Sequence, residues 1–153
     1  MAAILTIDRE QQLPAPLEQV FAFFAEATNL ERLTPPWLRF KILNPGVALR
    51  PGARIDYRLR IRGVPVRWQS EITEWQPPFR FVDVQTRGPY RMWRHEHTFA
   101  SCDQGTLVTD RVRYVVPGGR LVASLFVTPD VRRIFDYRAA QLQAIFSNPD
   151  GRP

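Results

Sequence analysis

Between residues 38 and 116, apolar side chains recur at every second position in runs that are separated by short turn sequences. Neighbouring residues of a β-strand point to opposite faces, so each run predicts a strand with one buried and one solvated face. Strands joined by such short connections must be antiparallel. The clearest inward-facing sets are Ile55, Tyr57, Leu59 and Ile61, then Val66, Trp68, Ser70 and Ile72, and finally Val108, Asp110, Val112 and Tyr114. The apolar face of such a sheet has to be covered, and the helices predicted on either side of this region are the segments that can cover it.

The helix signals lie on either side of this alternating region. Residues 3–13 predict a first strand, Pro16-Leu17-Glu18-Gln19 opens a helix, and Asn29 is expected to cap a second short helix, Leu30 to Leu33. Residues 121–127 predict a short helix of their own. Thr128-Pro129-Asp130 predicts the N-cap of a long helix that runs to about Phe146, and a polar tail follows at residues 148–153.

This order predicts an α+β fold in one domain over residues 1–153. We expect a curved antiparallel sheet of about seven strands wrapped around the long last helix, with two short helices after strand 1. The opening residues lack a basic n-region, so no signal peptide is expected. The single cysteine, Cys102, excludes an internal disulfide and a multi-cysteine zinc site. We therefore expect a cytoplasmic protein without a cofactor; the oligomeric state is left open.

The segment from Gly88 to Phe99 contains both histidines of the chain. Trp93, His95, His97 and Phe99 share one face of a predicted strand, and the charged residues Arg94 and Glu96 share the other. Because the charged face is expected to be solvated, the aromatic residues and both imidazoles point inward. A polar spot on an apolar wall is typical of a ligand cavity.

Other inward residues extend this candidate site. Asp110 interrupts an apolar strand face, and Arg138 interrupts the apolar face of the last helix. Simple alternation would expose Asp83 and Gln85, whereas continuity with the neighbouring strands would turn them inward, so their facing is left open. Arg138 either pairs with an acid, extends to the rim, or contacts the ligand. The expected cavity residues are Tyr57, Trp68, Asp83, Gln85, Trp93, His95, His97, Phe99, Asp110 and Arg138.

The histidines allow three interpretations. Two histidines separated by one residue can reach one metal ion, with Asp110 or Asp83 as a third ligand, but a closed zinc site needs a fourth ligand that the sequence does not supply. We therefore expect no metal. A general acid or base role is possible for His95 or His97, with Asp110 or Asp83 as the carboxylate that orients the imidazole. The interpretation that we favour is a polar anchor for a ligand oxygen.

The order of elements resembles the helix-grip fold of the START-like, polyketide cyclase/dehydrase and lipid-transport superfamily (SRPBCC). The local sequences that carry this resemblance over nearly the whole chain are Pro16-Leu17-Glu18-Gln19-Val20-Phe21, Pro65-Val66-Arg67-Trp68, Trp75-Gln76-Pro77-Pro78, Gly88-Pro89-Tyr90, Trp93-Arg94-His95-Glu96-His97-Thr98-Phe99, Asp110-Arg111-Val112-Arg113-Tyr114 and Ile134-Phe135-Asp136-Tyr137-Arg138. Together they resemble an uncharacterised bacterial ligand-binding branch. The resemblance implies a cavity between sheet and last helix that holds an apolar or aromatic ligand. It implies binding or carriage, or else a cyclase/dehydrase-type enzyme.

The net charge of +6 permits a further alternative. Seven arginines are expected on the outer sheet face: Arg58, Arg60, Arg62, Arg67, Arg94, Arg111 and Arg113. They would suit a polyanion or an anionic membrane surface. We favour a solvated face balanced by Asp56, Glu71 and Glu96, because no exposed aromatic residues are interleaved with the arginines. Neither nucleic-acid binding nor stable membrane insertion is expected.

Overall fold

A computed structural model describes residues 3–147. Its strands are β1 (Leu5–Leu13), β2 (Lys41–Ile42), β3 (Arg54–Ile61), β4 (Val64–Gln76), β5 (Arg80–Arg87), β6 (Met92–Cys102) and β7 (Gly105–Val115). Its helices are α1 (Leu17–Ala25), α2 (Asn29–Leu33), α3 (Gly119–Val122) and α4 (Thr128–Ser147), with a 3₁₀ turn at Pro36–Leu38 and a π-helical segment at Ala123–Val127. The predicted polar tail lies outside the described residues.

The seven strands form one antiparallel sheet in the order β1-β7-β6-β5-β4-β3-β2. The sheet curves around α4, so the α+β helix-grip architecture is confirmed. Strand β1 pairs with the last strand, β7, and the other six strands follow one another across the sheet in chain order. The inward residues that alternation predicts in β3, β4 and β7 are buried, except Ile61 and Val66, which are half-buried.

The β3–β4 hairpin turns at Arg62 and Gly63, not at the expected Gly63-Val64-Pro65. Both turn residues have positive φ, 50° and 81°, and Ile61 pairs with Val64. Two consecutive positive-φ residues match the right-handed twist of the flanking strands. The turn therefore removes Arg62 from the outer sheet face.

Helix α1 packs its aromatic face against the concave side of the sheet. Phe21 lies edge-on to Phe99, with ring centroids 5.2 Å apart, and Phe24 lies 5.1 Å from the same ring. Phe21 also contacts Phe81 in an edge-to-face arrangement. Edge-to-face contacts between buried rings add stabilisation beyond the area that they bury. This packing closes one end of the space between sheet and helices.

The expected boundary at Thr128 is wrong, because α3, the π-helical segment and α4 form one continuous helical run of 29 residues. Thr128 has helical backbone angles and its N–H donates to the carbonyl of Ala123, five residues back. Pro129 cannot donate a helical hydrogen bond, and the π-helical spacing just before it absorbs that loss. The hydroxyl of Thr128 bonds to Tyr114 of β7 at 3.0 Å. The proline motif therefore marks an irregular turn within a helix and not a helix start.

Two smaller boundaries also differ from expectation. Strand β1 begins at Leu5 and not at Ala3, and α2 begins at Asn29, with Thr28 at the N-cap position. The side-chain amide of Asn29 instead donates to the carbonyl of Phe23 at 2.9 Å. The amide thus ties the start of α2 to the end of α1.

Candidate functional site

A cavity of about 720 Å³ lies between the concave face of the sheet, the last helix and the two short helices. Most of its wall is apolar or aromatic, and the walls of small-molecule sites have the same character. Seven of the ten expected cavity residues line it: Tyr57, Trp68, Asp83, Trp93, His95, His97 and Arg138.

The other three expected residues do not line the cavity. Phe99 is covered by the rings of α1 and by Phe81, which it meets at 6.0 Å. Asp110 is buried and bonded to side chains that face the cavity, so it supports the wall from behind. Gln85 uses its amide to hold the β5–β6 connection, since it donates to the carbonyl of Tyr90 at 2.7 Å and accepts from the Tyr90 N–H at 3.1 Å.

One side of the cavity is an aromatic wall built on β3, β4 and β6. Trp68 lies 5.4 Å from the ring of Trp93 and 5.4 Å from Tyr90. The indole N–H of Trp68 donates to Ser70 Oγ at 3.1 Å, and Tyr57 makes a short hydrogen bond to the same oxygen. Burial raises the pKa of Tyr57, and the nearby Asp83 carboxylate adds to the effect, so its hydroxyl stays protonated. Ser70 thus satisfies the indole N–H of Trp68 and the hydroxyl of Tyr57, two buried polar groups that would otherwise be unpaired.

Three rings stack at the polar end of the cavity. Phe81 stacks on His97 with centroids 4.0 Å apart, and His97 stacks on His95 at 3.7 Å. Alternation along β6 places both imidazoles on the inner face, two residues apart. Each ring is then fixed by a carboxylate: His95 Nε2 lies 2.8 Å from Asp110 Oδ1, and His97 Nε2 lies 2.6 Å from Asp83 Oδ2.

The two imidazoles differ in protonation because their partners differ. Burial lowers the pKa of His95 to about 4, and the neighbouring positive charge of His97 contributes to this. Burial opposes the charged form of His97 too, but hydrogen bonds to Asp110 and Asp83 outweigh it and raise the pKa of His97. At neutral pH His95 is therefore neutral, and of the two rings His97 is the one that favours the protonated form.

The carboxylates remain ionised in spite of their burial. Burial alone would raise the pKa of Asp110, but the Arg138 guanidinium and the hydrogen bonds from both histidines hold it well below its usual range. Burial alone would raise the pKa of Asp83 too. The hydrogen bond from His97 and the charge on that ring together outweigh burial, so the pKa of Asp83 is lowered. With His97 protonated, two carboxylates, one guanidinium and one imidazolium give a cluster without net charge. A balanced cluster avoids the large penalty of an unpaired buried ion.

The structure shows which group Arg138 binds, a point that the sequence left open. Its Nη2 donates to Asp110 Oδ1 at 3.1 Å, and the guanidinium lies 5.2 Å from the Phe24 ring. The Nη2 also lies 3.4 Å from His97 Nδ1, but protonated His97 has no acceptor nitrogen, so both cations instead face Asp110. The expectation of an extension to the rim is not met, because the side chain is buried.

Two side-chain nitrogens at this end of the cavity, one of Arg138 and one of His95, are not fully enclosed and form no hydrogen bond with the protein. Within residues 3–147, Nε of Arg138 is the only fully enclosed side-chain nitrogen or oxygen that lacks a hydrogen bond. Arg138 Nη1 and His95 Nδ1 also lack hydrogen bonds there, and both belong to side chains that line the cavity. Because the Asp110 carboxylate can only accept, His95 donates from Nε2 and its Nδ1 carries a lone pair. The polar end therefore offers one acceptor and one cationic donor.

The facing of Asp83 is settled in favour of continuity with the neighbouring strands. Register shifts in the β4–β5 pair, between Gln69 and Ser70 and again between Ile72 and Glu74, accompany the inward facing of Asp83. Val82 is also fully buried, on the opposite face, so apolar residues occupy both faces at this point of β5. Simple alternation is therefore wrong for this strand.

Asp83, His95 and His97 offer possible metal-ligand atoms within 4.8 Å of one another. Both Nε2 atoms are already bonded to carboxylates, and the Arg138 guanidinium lies beside the group. A metal ion here would have to displace the His97 proton and approach a fixed positive charge. The donor set is thus a poor fit for a divalent cation.

Sequence reasoning missed three residues that shape the cavity: Ser70, Phe81 and Tyr90. Ser70 carried a signal, since it is the single hydroxyl in the inward set of β4. Phe81 precedes Asp83 by two positions and shares its uncertain facing. Tyr90 follows Gly88-Pro89, where a turn hides the direction of its side chain.

Two of the seven expected outer arginines pair with acids of the sheet, and within residues 3–147 the acids expected to balance them bind other groups: Glu71 pairs with Arg54 and Glu96 with Arg80. Arg94 pairs with Glu74 at 3.3 Å, and Arg111 pairs with Asp8 at 3.1 Å. Arg62 leaves this face altogether and binds Asp130 of α4 at 3.1 Å. Arg58 and Arg67 lie opposite each other on β3 and β4 without an acidic partner among residues 3–147.

The family model described as polyketide cyclase / dehydrase and lipid transport matches residues 13–142. The chain belongs to this family. Membership in the polyketide cyclase/dehydrase and lipid-transport family suggests the binding of small hydrophobic ligands or a cyclase/dehydrase-type function, without specifying either. No curated protein sequence matches the chain.

Solved structures share the fold of this polyketide cyclase/dehydrase family member. The protein CV1439 from Chromobacterium violaceum superposes with a TM-score of 0.73 at 19% identity, over 94% of this chain and 98% of that one. The ginseng major latex-like protein 151 from Panax ginseng gives 0.70 at 11% identity, over 94% and 97%. The di-domain ARO/CYC StfQ from the steffimycin biosynthetic pathway gives 0.72 at 12% identity, over 97% of this chain and 53% of that chain. At these identities the likeness supports the fold alone.

The helices of residues 3–147 include none with the length and apolar content that a bilayer crossing requires.

Proposed function

We propose that the protein binds a small apolar or aromatic molecule in the cavity between the sheet and the last helix, as a single ligand-binding domain in the cytoplasm. The observation that carries this proposal is the arrangement of the cavity: an apolar and aromatic wall with two unpartnered polar atoms at one end. A volume of about 720 Å³ falls in the range of roughly 300–1,000 Å³ that is usual for small-molecule sites.

The polar end defines the chemistry of the ligand's polar group. Arg138 Nη1 can donate a hydrogen bond and His95 Nδ1 can accept one, so a hydroxyl group that both accepts and donates would satisfy the pair. The surrounding cluster has no net charge, so it does not call for a full negative charge on the ligand. A phenol or an alcohol on an apolar body therefore fits better than a carboxylate.

Native mass spectrometry with naphthol tests this proposal. We expect one naphthol per chain and saturable displacement of the fluorescent probe N-phenylnaphthylamine. The variant Leu30→Trp fills the cavity from α2 and should abolish both signals. Leu43→Trp is the matched control, because Leu43 is partly exposed and does not line the cavity. If Leu30→Trp binds as well as the parent protein, or if neither probe binds the parent, the cavity is not the site.

A second candidate function is catalysis of a dehydration. The observation that favours it is the neutral His95, whose side chain lines the cavity and whose tautomer is fixed by Asp110 with the lone pair on Nδ1. Such a nitrogen can remove a proton next to a carbonyl in a β-hydroxy ketone; the carbon–carbon double bond forms as hydroxide departs, and that hydroxide and the proton leave as water.

The test is enone formation from a β-hydroxy aryl ketone, followed by absorbance. His95→Gln keeps a hydrogen bond to Asp110 but removes both the base and the acceptor of the ligand hydroxyl, so it should abolish turnover and weaken naphthol binding. Absence of turnover in the parent protein would leave binding as the function.

A further inference from the structure

A patch of exposed apolar side chains borders the cavity where the π-helical segment meets the β3–β4 turn. The rim patch consists of Val64, Leu121, Val122, Leu125 and Phe126. Leu121 is 70% exposed, Val64 60% and Leu125 58%. Val122 and Phe126 also line the cavity, together with Arg62 and Gly63 of the turn. The exposed surface and the cavity opening are therefore continuous.

Contacts of Arg62 join the two halves of the rim patch. Its guanidinium lies 5.4 Å from the Phe126 ring, and it forms a two-pronged ion pair with Asp130 through Nε and Nη2, both at 3.1 Å. This holds the β3–β4 turn, and with it Val64, against the last helix. The apolar side chains thus form one surface and not isolated exposed residues, and a contiguous apolar surface indicates an interaction site.

The charged residues in the two segments that carry the rim patch are all arginines. Residues 60–67 include Arg60, Arg62 and Arg67 and no acid, and residues 117–127 include Arg120 and no acid. The nearby Asp130 is already paired with Arg62. An apolar centre with arginines at its edge complements a surface that is negatively charged outside and apolar beneath.

We propose that the rim patch docks on the surface of an anionic lipid bilayer. Leucine, valine and phenylalanine side chains enter the boundary between headgroups and acyl chains, and the arginines bind the anionic headgroups. A second copy of the chain fits less well. A two-fold symmetric contact would place each copy's Arg60, Arg62 and Arg120 close to the same residues of the other copy.

This docking goes beyond ligand binding and does not depend on it. If the proposed ligand function also holds, an apolar molecule passes between bilayer and cavity at the rim without crossing bulk water.

Vesicle flotation tests the proposal. The full chain is mixed with vesicles of phosphatidylcholine alone, or with about one third phosphatidylglycerol, at low ionic strength. We expect flotation only with the anionic vesicles. Leu121→Gln together with Leu125→Gln should lower the partition coefficient by at least about tenfold, because both leucines lose apolar burial. Phe79→Gln is the matched control: Phe79 is 59% exposed and follows the far end of β4.

The contribution of charge has its own pair of variants. Arg60→Gln together with Arg120→Gln should weaken binding to anionic vesicles by about tenfold or more. Arg50→Gln, an exposed arginine in the β2–β3 connection, should leave it unchanged. Added salt should also weaken the binding of the parent protein to anionic vesicles, because it screens the arginine charges.

Binding of N-phenylnaphthylamine separates this proposal from the ligand function. Leu121 and Leu125 do not line the cavity, so the double leucine variant should retain probe binding and its thermal transition. The docking proposal is overturned if the parent protein does not bind anionic vesicles, or if the leucine variant floats like the parent. It is also overturned if sedimentation velocity shows a dimer that the leucine variant loses while neither protein binds vesicles.

Discussion

Replacement of Arg138 by methionine removes one of the two cations that balance the buried carboxylates. The side chain keeps a similar length, but Asp110 loses its 3.1 Å partner and the cluster acquires a net negative charge. Removing one partner of a buried ion pair typically destabilises a protein by about 3–5 kcal/mol.

The depressed pKa of His95 gives a second figure of similar size for this loss. The cluster can restore its balance by protonating His95, whose pKa is about 4. At pH 7 this requires a shift of three pH units, which corresponds to about 4 kcal/mol at 1.36 kcal/mol per unit. We therefore expect Arg138→Met to lower the free energy of unfolding by about 3–4 kcal/mol.

Urea denaturation followed by tryptophan fluorescence measures this change at pH 7. Arg132→Met, an exposed arginine on the same helix, is the control and should change stability by less than about 0.5 kcal/mol. Adding Asp110→Asn to Arg138→Met removes the orphaned charge and should recover part of the loss. A loss below about 1 kcal/mol for Arg138→Met would be typical of a solvent-screened pair and would refute the charge balance described above.

Two further predictions concern the hydrogen bonds and the pH response of the site. Ser70→Ala leaves the buried Tyr57 hydroxyl and the Trp68 indole N–H unpaired and should lower the free energy of unfolding by about 1–3 kcal/mol, measured by urea denaturation; a loss within experimental error would contradict the bonding. Because the folded-state pKa of His95 is depressed to about 4, the stability that its neutral form contributes is present above pH 6.5 and is lost as pH falls from 6.5 towards 4. His95→Gln should flatten that slope. The pKa of His97 is raised, so its contribution is present below pH 6.5 and is lost at higher pH; His97→Gln should flatten the stability profile there and not on the acid side.

The strand pattern could be predicted because burial is one-sided in most of the sheet. On β3 and β7 the inner face is apolar and the outer face polar, so period two fixes which residues face inward. Strand β5 breaks this rule. Val82 is buried between Glu74 and Glu96, whose carboxylates bind Arg80, while Phe81 and Asp83 face the helices. With apolar residues on both faces, alternation carries no information on direction.

The pairing of the buried charges could not be predicted for a different reason. Alternation along the strands placed both histidines and Asp110 on the inner face of the sheet. Helical spacing placed Arg138 on the apolar face of α4, which was expected to cover that inner face. Which carboxylate meets which cation depends on strand register and on the position of α4 along the sheet. In the sequence, Asp110 and Asp83 were equivalent candidates for the partner of Arg138 and of the histidines. In the structure Arg138 binds Asp110, and the shorter hydrogen bond of His97 is to Asp83.

Nitrogen-15 NMR of the two imidazoles during a naphthol titration tests the central claim most directly, because His95 and His97 are the only histidines in the chain. If the naphthol hydroxyl binds His95 in the cavity, the His95 Nδ1 resonance should show a saturable shift, while His97 stays protonated on both nitrogens. If neither imidazole responds to naphthol at any concentration, the polar end of the cavity does not bind a ligand hydroxyl and the proposed site is wrong.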